Sequence, residues 1–260
     1  MRLLFGPFVL LLVLSSAQPS ATQQTTATSV QRDPQAIQLL AHALSLSLSA
    51  QVPQISDAVI QGTLSNPGAS GQGVGTFVAK ARGFDLSVEI SAGDDTSSYK
   101  VLHGFGTSLI NGIKTPLPWH ATAGLTLDLI PTLARWTEFT NVGHSVRYLG
   151  QTEINGKACQ SVEVEAPYDS DARKRNELGK VDVFIDPGSS LIYSIQYKTS
   201  PFNFSSQQVL IETRYSDYQN VNGILVPMTV EKLADGQSTR IFHITSVQFN
   251  VALADSEFKN

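Results

Sequence analysis

The sequence predicts a mainly β (α+β) fold, one curved antiparallel sheet with a hydrophobic inner face, on three observations. Apolar and polar residues alternate with period two in several separate stretches, as in a sheet with one buried and one wet face. Asn-Gly and Asp-Gly pairs punctuate those stretches as hairpin turns do. Only two segments carry helical spacing, and no strand–helix–strand alternation follows residue 56, which argues against a parallel sheet.

Residues 1–17 read as a secretory signal: Arg2 supplies the positive end, Leu3 to Leu14 the apolar run, and Ser15-Ser16-Ala17 the small-residue exit. The run is about a dozen residues against the roughly 20 of a spanning helix, so a membrane anchor is the lesser reading. Residues 18–32, rich in Ser, Thr, Gln and Ala, have no apolar periodicity and form a disordered leader. Residues 33–260 then make one domain, with no integral membrane segment in the mature form.

Asp33-Pro34 starts a helix, a capping side chain before proline at the first helical position. Ile37, Leu40 and Leu44 continue one face, and the helix extends to about Ser49. Strands follow. Phe84, Leu86, Val88 and Ile90 alternate with Asp85, Ser87 and Glu89; Val162, Val164 and Ala166 with Ser161, Glu163 and Glu165. Leu191, Tyr193, Ile195 and Tyr197 form a third series, and Ile241, Val247, Phe249 and Val251 a fourth. Asn111-Gly112, Asn155-Gly156, Asn222-Gly223, Asp235-Gly236 and Asp186-Pro187-Gly188 mark the turns. Between early and late strands, Leu125, Leu129, Leu133 and Trp136 stand at helical spacing, with Pro131 kinking or splitting that helix. Phe202 and Phe204 fall in a loop.

A wide sheet must cover its apolar face. Two helices closing the concave side leave either a deep apolar cavity or a filled interior, and the sequence leaves both open. In the first case Phe84, Leu86, Val88, Tyr193, Ile195, Val247 and Phe249 line the cavity, and Leu125, Leu129, Leu133 and Trp136 form a lid.

The net charge is −4, about −5 once Arg2 is removed with the signal, which argues against a nucleic-acid partner. The one dense basic run, Arg173-Lys174-Arg175, is flanked by Asp169, Asp171 and Glu177 as in a solvated loop. A single cysteine, Cys159, forbids an internal disulfide, which fits a bacterial envelope better than a small animal secreted domain. The five histidines are scattered without metal-ligand spacing, Gly68-Ala69-Ser70-Gly71 lacks the last glycine of a nucleophile elbow, and Gly71-Gln72-Gly73-Val74-Gly75 precedes no helix. No catalytic residue, metal or cofactor is assigned, and the protein is expected not to be an enzyme.

Several stretches resemble the LolA/LolB-like family of bacterial envelope proteins. Residues 75–82 (GTFVAKAR) are similar to its early strand with a basic end, and residues 183–191 (VFIDPGSSL) to its strand, Asp-Pro turn and return strand. Residues 215–218 and 221–227 are similar to its late hairpin, and residues 244–251 with Asp255-Ser256-Glu257-Phe258 to its last strand and end. The resemblance spans residues 34 to 258 in element order and implies an incomplete β-barrel with an N-terminal helix and an inserted lid. It implies a periplasmic carrier or sensor of a lipid, lipoprotein acyl chain or other hydrophobic ligand. It also implies lid gating by the basic residue ending the early strand, here Arg82. The alternative is a cell-envelope scaffold with a filled barrel that acts through an envelope protein partner.

Overall fold

The computed structural model describes residues 30–47, 55–67, 74–117, 143–165, 180–199 and 208–259. The expected signal peptide, most of the leader, the lid residues Leu125, Leu129, Leu133 and Trp136, the basic run at 173–175, and Phe202 and Phe204 lie outside them.

Helix α1 is Pro34–Ser47. Its start follows the capping rule: Asp33 Oδ1 accepts the backbone N–H of Gln35 at 2.9 Å, and Asp33 O accepts that of Ile37 at 3.0 Å. Six strands follow, β1 Asp57–Ser65, β2 Gly75–Arg82, β3 Asp85–Ala92, β4 Asp95–Leu102, β5 Phe105–Ile110 and β6 Ile113–Leu117. Seven more complete the sheet: β7 Ser145–Ile154, β8 Lys157–Glu165, β9 Lys180–Ile185, β10 Ile192–Thr199, β11 Val209–Val221, β12 Ile224–Ala234 and β13 Gln237–Phe249. A short 3-10 helix, Asp255–Phe258, ends the described chain.

All thirteen strands form one antiparallel sheet in the order β6-β5-β4-β3-β2-β1-β13-β12-β11-β10-β9-β8-β7. It is an open sheet with β6 and β7 at its edges, the incomplete barrel that the resemblance implies. From β1 to β6 and from β7 to β13, neighbours in sequence are neighbours in the sheet. At each of the four Asn-Gly and Asp-Gly pairs both residues have φ between 47° and 87°, the conformation that makes a two-residue turn match the strands' twist. The exception to sequential pairing is β1 with β13, which joins the two halves from Ala58–Phe249 to Ser65–Ile241. At its centre the register shifts between Gln61 and Gly62. A Cβ on Gly62 would fall 2.0 Å from the His243 carbonyl oxygen, so only glycine fits this close approach.

Helix α1 lies across the later half and makes its main contacts with β7 and β12. Ala36, Leu40 and Ala43 are the buried stripe of the helix and belong to the same core as the strand residues. The segment before α1 adds to the edge at β7, where Asp33 N donates to Val146 O and Val146 N donates to Gln31 O.

Candidate functional site

The inner face is built by register. Val247, Ile60, Ala79, Val88 and Tyr99 stand opposite one another in one row across β13, β1, β2, β3 and β4. The next row holds Ile244, Gly62, Phe77 and Ile90. Phe77 meets Phe242 edge-on with ring centroids 5.0 Å apart. Past β4 the first row turns polar, to Ser108 and Thr115. In the other half Val162, Val183, Ile195 and Thr213 form a corresponding row across β8, β9, β10 and β11. Because side chains alternate between faces along a strand, all these residues share the concave side.

The expected liners separate on this frame. Leu86, Val88, Ile195 and Val247 are buried in the core cluster, and Phe249 is partly buried against it. Ile195 is 1% exposed and lies on β10, between the two strands that α1 touches, so the helix side of the sheet encloses it. Phe84 is a correction: it falls in the β2–β3 turn, 43% exposed, not on a strand. The strand begins one residue after it, at Asp85, whose carboxylate accepts His103 N at 2.8 Å and Arg82 Nη2 at 2.8 Å. Tyr193 is a second correction. It occupies the register shift between Ile192 and Ser194, which turns it out of the row, and its ring lies under the Lys157 ammonium at 4.8 Å.

Arg82 ends β2 as expected, and its described partners form a clamp on the C-terminal segment. Its guanidinium donates to Leu253 O at 2.9 Å and to Asp255 Oδ1 at 2.6 Å, and stacks 4.9 Å from the Phe258 ring. The Asp85 and Asp255 hydrogen bonds raise the Arg82 pKa, and Arg82 in turn holds the Asp255 carboxyl below its ordinary range. Lys80 does the same for Glu257 at 2.5 Å. The residues it was expected to gate lie outside those described.

The sequence reading missed β1 and β4. Ser97, Tyr99 and Val101 alternate with Thr96, Ser98 and Lys100, too polar a set to stand out as a strand. It also missed Thr213, buried opposite Ile195 with its hydroxyl unpartnered among the described residues.

The opposite face carries charge. Glu163 is buried and paired with both Arg147 and Lys180. Glu212 is buried, accepting from Ser194 Oγ at 3.0 Å and from Arg214 Nε at 2.7 Å. Among the described residues no group of His, Cys, Asp and Glu is arranged to hold a metal, and no helix is long and apolar enough to cross a membrane. Cys159 is buried, and burial pushes its thiol pKa up, away from the reactive thiolate.

No family model and no curated protein matches the sequence. Solved structures do match the fold. A LolA superfamily protein from Nitrosomonas europaea is 14% identical, with a TM-score of 0.54 over 86% of this chain and 97% of that one. An outer-membrane lipoprotein-sorting protein domain from Vibrio parahaemolyticus is 8% identical, with a TM-score of 0.54 over 86% and 96%. A DUF1329 family protein from Desulfovibrio piger is 11% identical, with a TM-score of 0.54 over 88% and 98%. Near-complete coverage of those chains by one open antiparallel sheet, at identities this low, is a likeness of architecture, and the protein described here has the LolA-type fold.

Proposed function

We propose that this protein is a non-enzymatic periplasmic carrier or sensor, exported by residues 1–17. Its ligand would be a lipid, a lipoprotein acyl chain or a similar apolar molecule, held on the concave face of β1–β4 and β13. The observation that carries the reading is the uninterrupted apolar row from Val247 to Tyr99, on the half of the sheet away from the main contacts of α1. An acyl chain laid on such a face gains about 0.8 kcal/mol for each methylene removed from water. The fold neighbours include a lipoprotein-sorting protein domain, which supports the ligand class.

Native mass spectrometry of the protein isolated from its own cell envelope, followed by organic extraction, tests this. The expected result is an added mass that extracts as lipid. Phe249, partly buried at the end of β13, is the position to charge: Phe249→Asp should leave the circular dichroism unchanged and weaken lipid retention at least about tenfold, or 1.4 kcal/mol. Bare protein, or full retention by a folded Phe249→Asp variant, would overturn the assignment.

A second reading, a scaffold acting through an envelope protein partner, has one observation in its favour. Leu40, Val146, Val183 and Val230 beneath α1 are wholly buried, and Ile60 and Ala79 in the apolar row are 1% and 0% exposed, as in a filled interior. A co-purifying protein in place of lipid would select it.

A further inference from the structure

The row of Val162, Val183, Ile195 and Thr213 does not end at β11. Thr213 stands opposite Lys232 of β12, and Lys232 opposite Arg240 of β13. Opposed residues of a sheet share a face, so on the concave side the row passes from apolar side chains through a hydroxyl to two cations. The Thr213 hydroxyl is buried with no partner among the described residues. The β12–β13 register shifts between Lys232 and Leu233, which leaves Thr239 as the extra residue of a bulge and sets Arg240 opposite Lys232. Thr239 Oγ1 fixes the bulge by donating to Lys232 O at 3.0 Å.

Like charges placed directly opposite each other destabilise a sheet, and an anion lying between them offsets that repulsion. The period of two puts uncharged neighbours around the pair on this face: Val230 and Ala234 flank Lys232, and Phe242 follows Arg240. The nearby acids are used elsewhere. Glu212 and Glu231 alternate to the other face, where Arg214 pairs with both. Asp235 lies in the turn, and its carboxylate accepts Leu210 N at 2.9 Å. Arg240 is half-buried, and its guanidinium lies 5.9 Å from the Phe242 ring centroid, so it leans along β13 toward the inside of the face. A contact of that length uses none of its N–H donors, and no oxygen of the described residues accepts from them. Phe242 in turn meets Phe77, which belongs to the apolar rows of β1–β4 and β13. The proposed ligand face therefore has a basic pair at one end, and its other end lies toward Phe249. A guanidinium with open donors matches the oxygens of a carboxylate or phosphate, and a neighbouring ammonium adds a second positive charge.

We propose that Arg240 and Lys232 bind the anionic group of an amphiphile, a phosphate or a carboxylate, whose apolar tail runs past Phe242 onto the row from Val247 to Tyr99. The inference rests on the carrier reading above and narrows its ligand to an anionic lipid. Arg240 supplies the directed hydrogen bonds and Lys232 the second charge.

The test is calorimetric titration of the full chain, freed of co-purified lipid, at neutral pH. The probes are lauroyl lysophosphatidylglycerol, lauric acid and the uncharged monolaurin, each below its micelle concentration, and inorganic phosphate. Both anionic amphiphiles are expected to bind at least about tenfold tighter than monolaurin, the margin that one hydrogen bond to a charged group supplies. Arg240→Gln and Lys232→Gln should each reduce that margin with the circular dichroism retained. Lys198→Gln, the same loss of charge at an exposed position of β10, should leave it intact. Equal binding of all three amphiphiles, or a margin that survives Arg240→Gln, overturns the proposal and spares the carrier reading. A margin lost equally in Lys198→Gln reports net charge alone and overturns it as well. Phosphate bound through Arg240 with no amphiphile bound keeps the anion site and defeats the carrier reading, and no binding of any probe defeats both. Lysolipid bound tighter than laurate assigns a phospholipid headgroup as the source of the anion, and the reverse order assigns a fatty acid.

Discussion

Asp182 shows how a single residue on the outer face is left at a cost. It stands between Glu163 of β8 and Gln196 of β10, with Oδ1 buried and unpartnered among the described residues. Burial first, then the Glu163 carboxylate, push its pKa up against the opposing pull of Lys180, Lys198 and Arg147. A carboxyl with a raised folded pKa binds its proton more tightly in the native state. Its contribution is fully present below the unfolded value near 3.8 and is lost as pH rises through the folded one. Asp182→Asn should therefore stabilise the protein at pH 7 by about 1 kcal/mol, the lower end of the cost of an unsatisfied buried polar group. The gain should vanish below about pH 3.8, where the wild-type group is already neutral. Urea midpoints from pH 3 to 8 measure it. Asp255 has the opposite sign: the Arg82 hydrogen bond lowers its pKa, so its contribution is present above 3.8 and lost as pH falls through the folded value.

At the scale of the element, α1 is held by one side chain at its start. Asp33 caps the helix through Oδ1, while Oδ2 accepts Tyr148 N of β7 at 3.3 Å and its backbone N–H donates to Val146 O. The residue therefore both begins the helix and docks it on the sheet edge. Asp33→Ala should cost about 1–2 kcal/mol, the upper range for a lost cap because a second bond goes with it. Amide hydrogen exchange should accelerate in α1 and at Tyr148 and stay unchanged in β2–β4. Uniform acceleration across the sheet would show that α1 does not unfold separately from it.

For the whole molecule the controlling feature is the topology. The chain starts at the centre of the sheet with β1, runs outward to the β6 edge, reappears at the β7 edge and returns to the centre with β13. Within the sheet the two halves are joined by the β1–β13 ladder, between residues 176 to 191 apart in sequence, a pairing whose loop-closure entropy must be overcome before any contact repays it. Ending the chain at Ala234 would leave β1 paired only with β2 and β12 only with β11, and divide the sheet into two pieces. Such a chain is expected to show no cooperative unfolding transition in urea, while the full chain shows one. A cooperative transition in the truncated protein would mean that one half folds alone.

Much of this architecture was legible in the residues because it is set locally. The Asn-Gly and Asp-Gly turns, the Asp33-Pro34 helix start and the alternation of Leu86, Val88 and Ile90 depend on φ preferences and on period two, which each short stretch carries by itself. The open antiparallel sheet followed from their sum. What required the tertiary structure was every choice between equivalent positions. Phe84 and Leu86 look alike in an alternating run, but Phe84 lies in the β2–β3 turn and the strand begins at Asp85. Tyr193 continues its series in sequence, and a register shift against β9 removes it from the inner face. Thr213 and Arg240 are 27 positions apart and join one row only because β12 pairs with both β11 and β13. Register and long-range pairing arise from interactions between distant residues, so no window of the sequence contains them, whereas turn and strand periodicity are complete within a few residues.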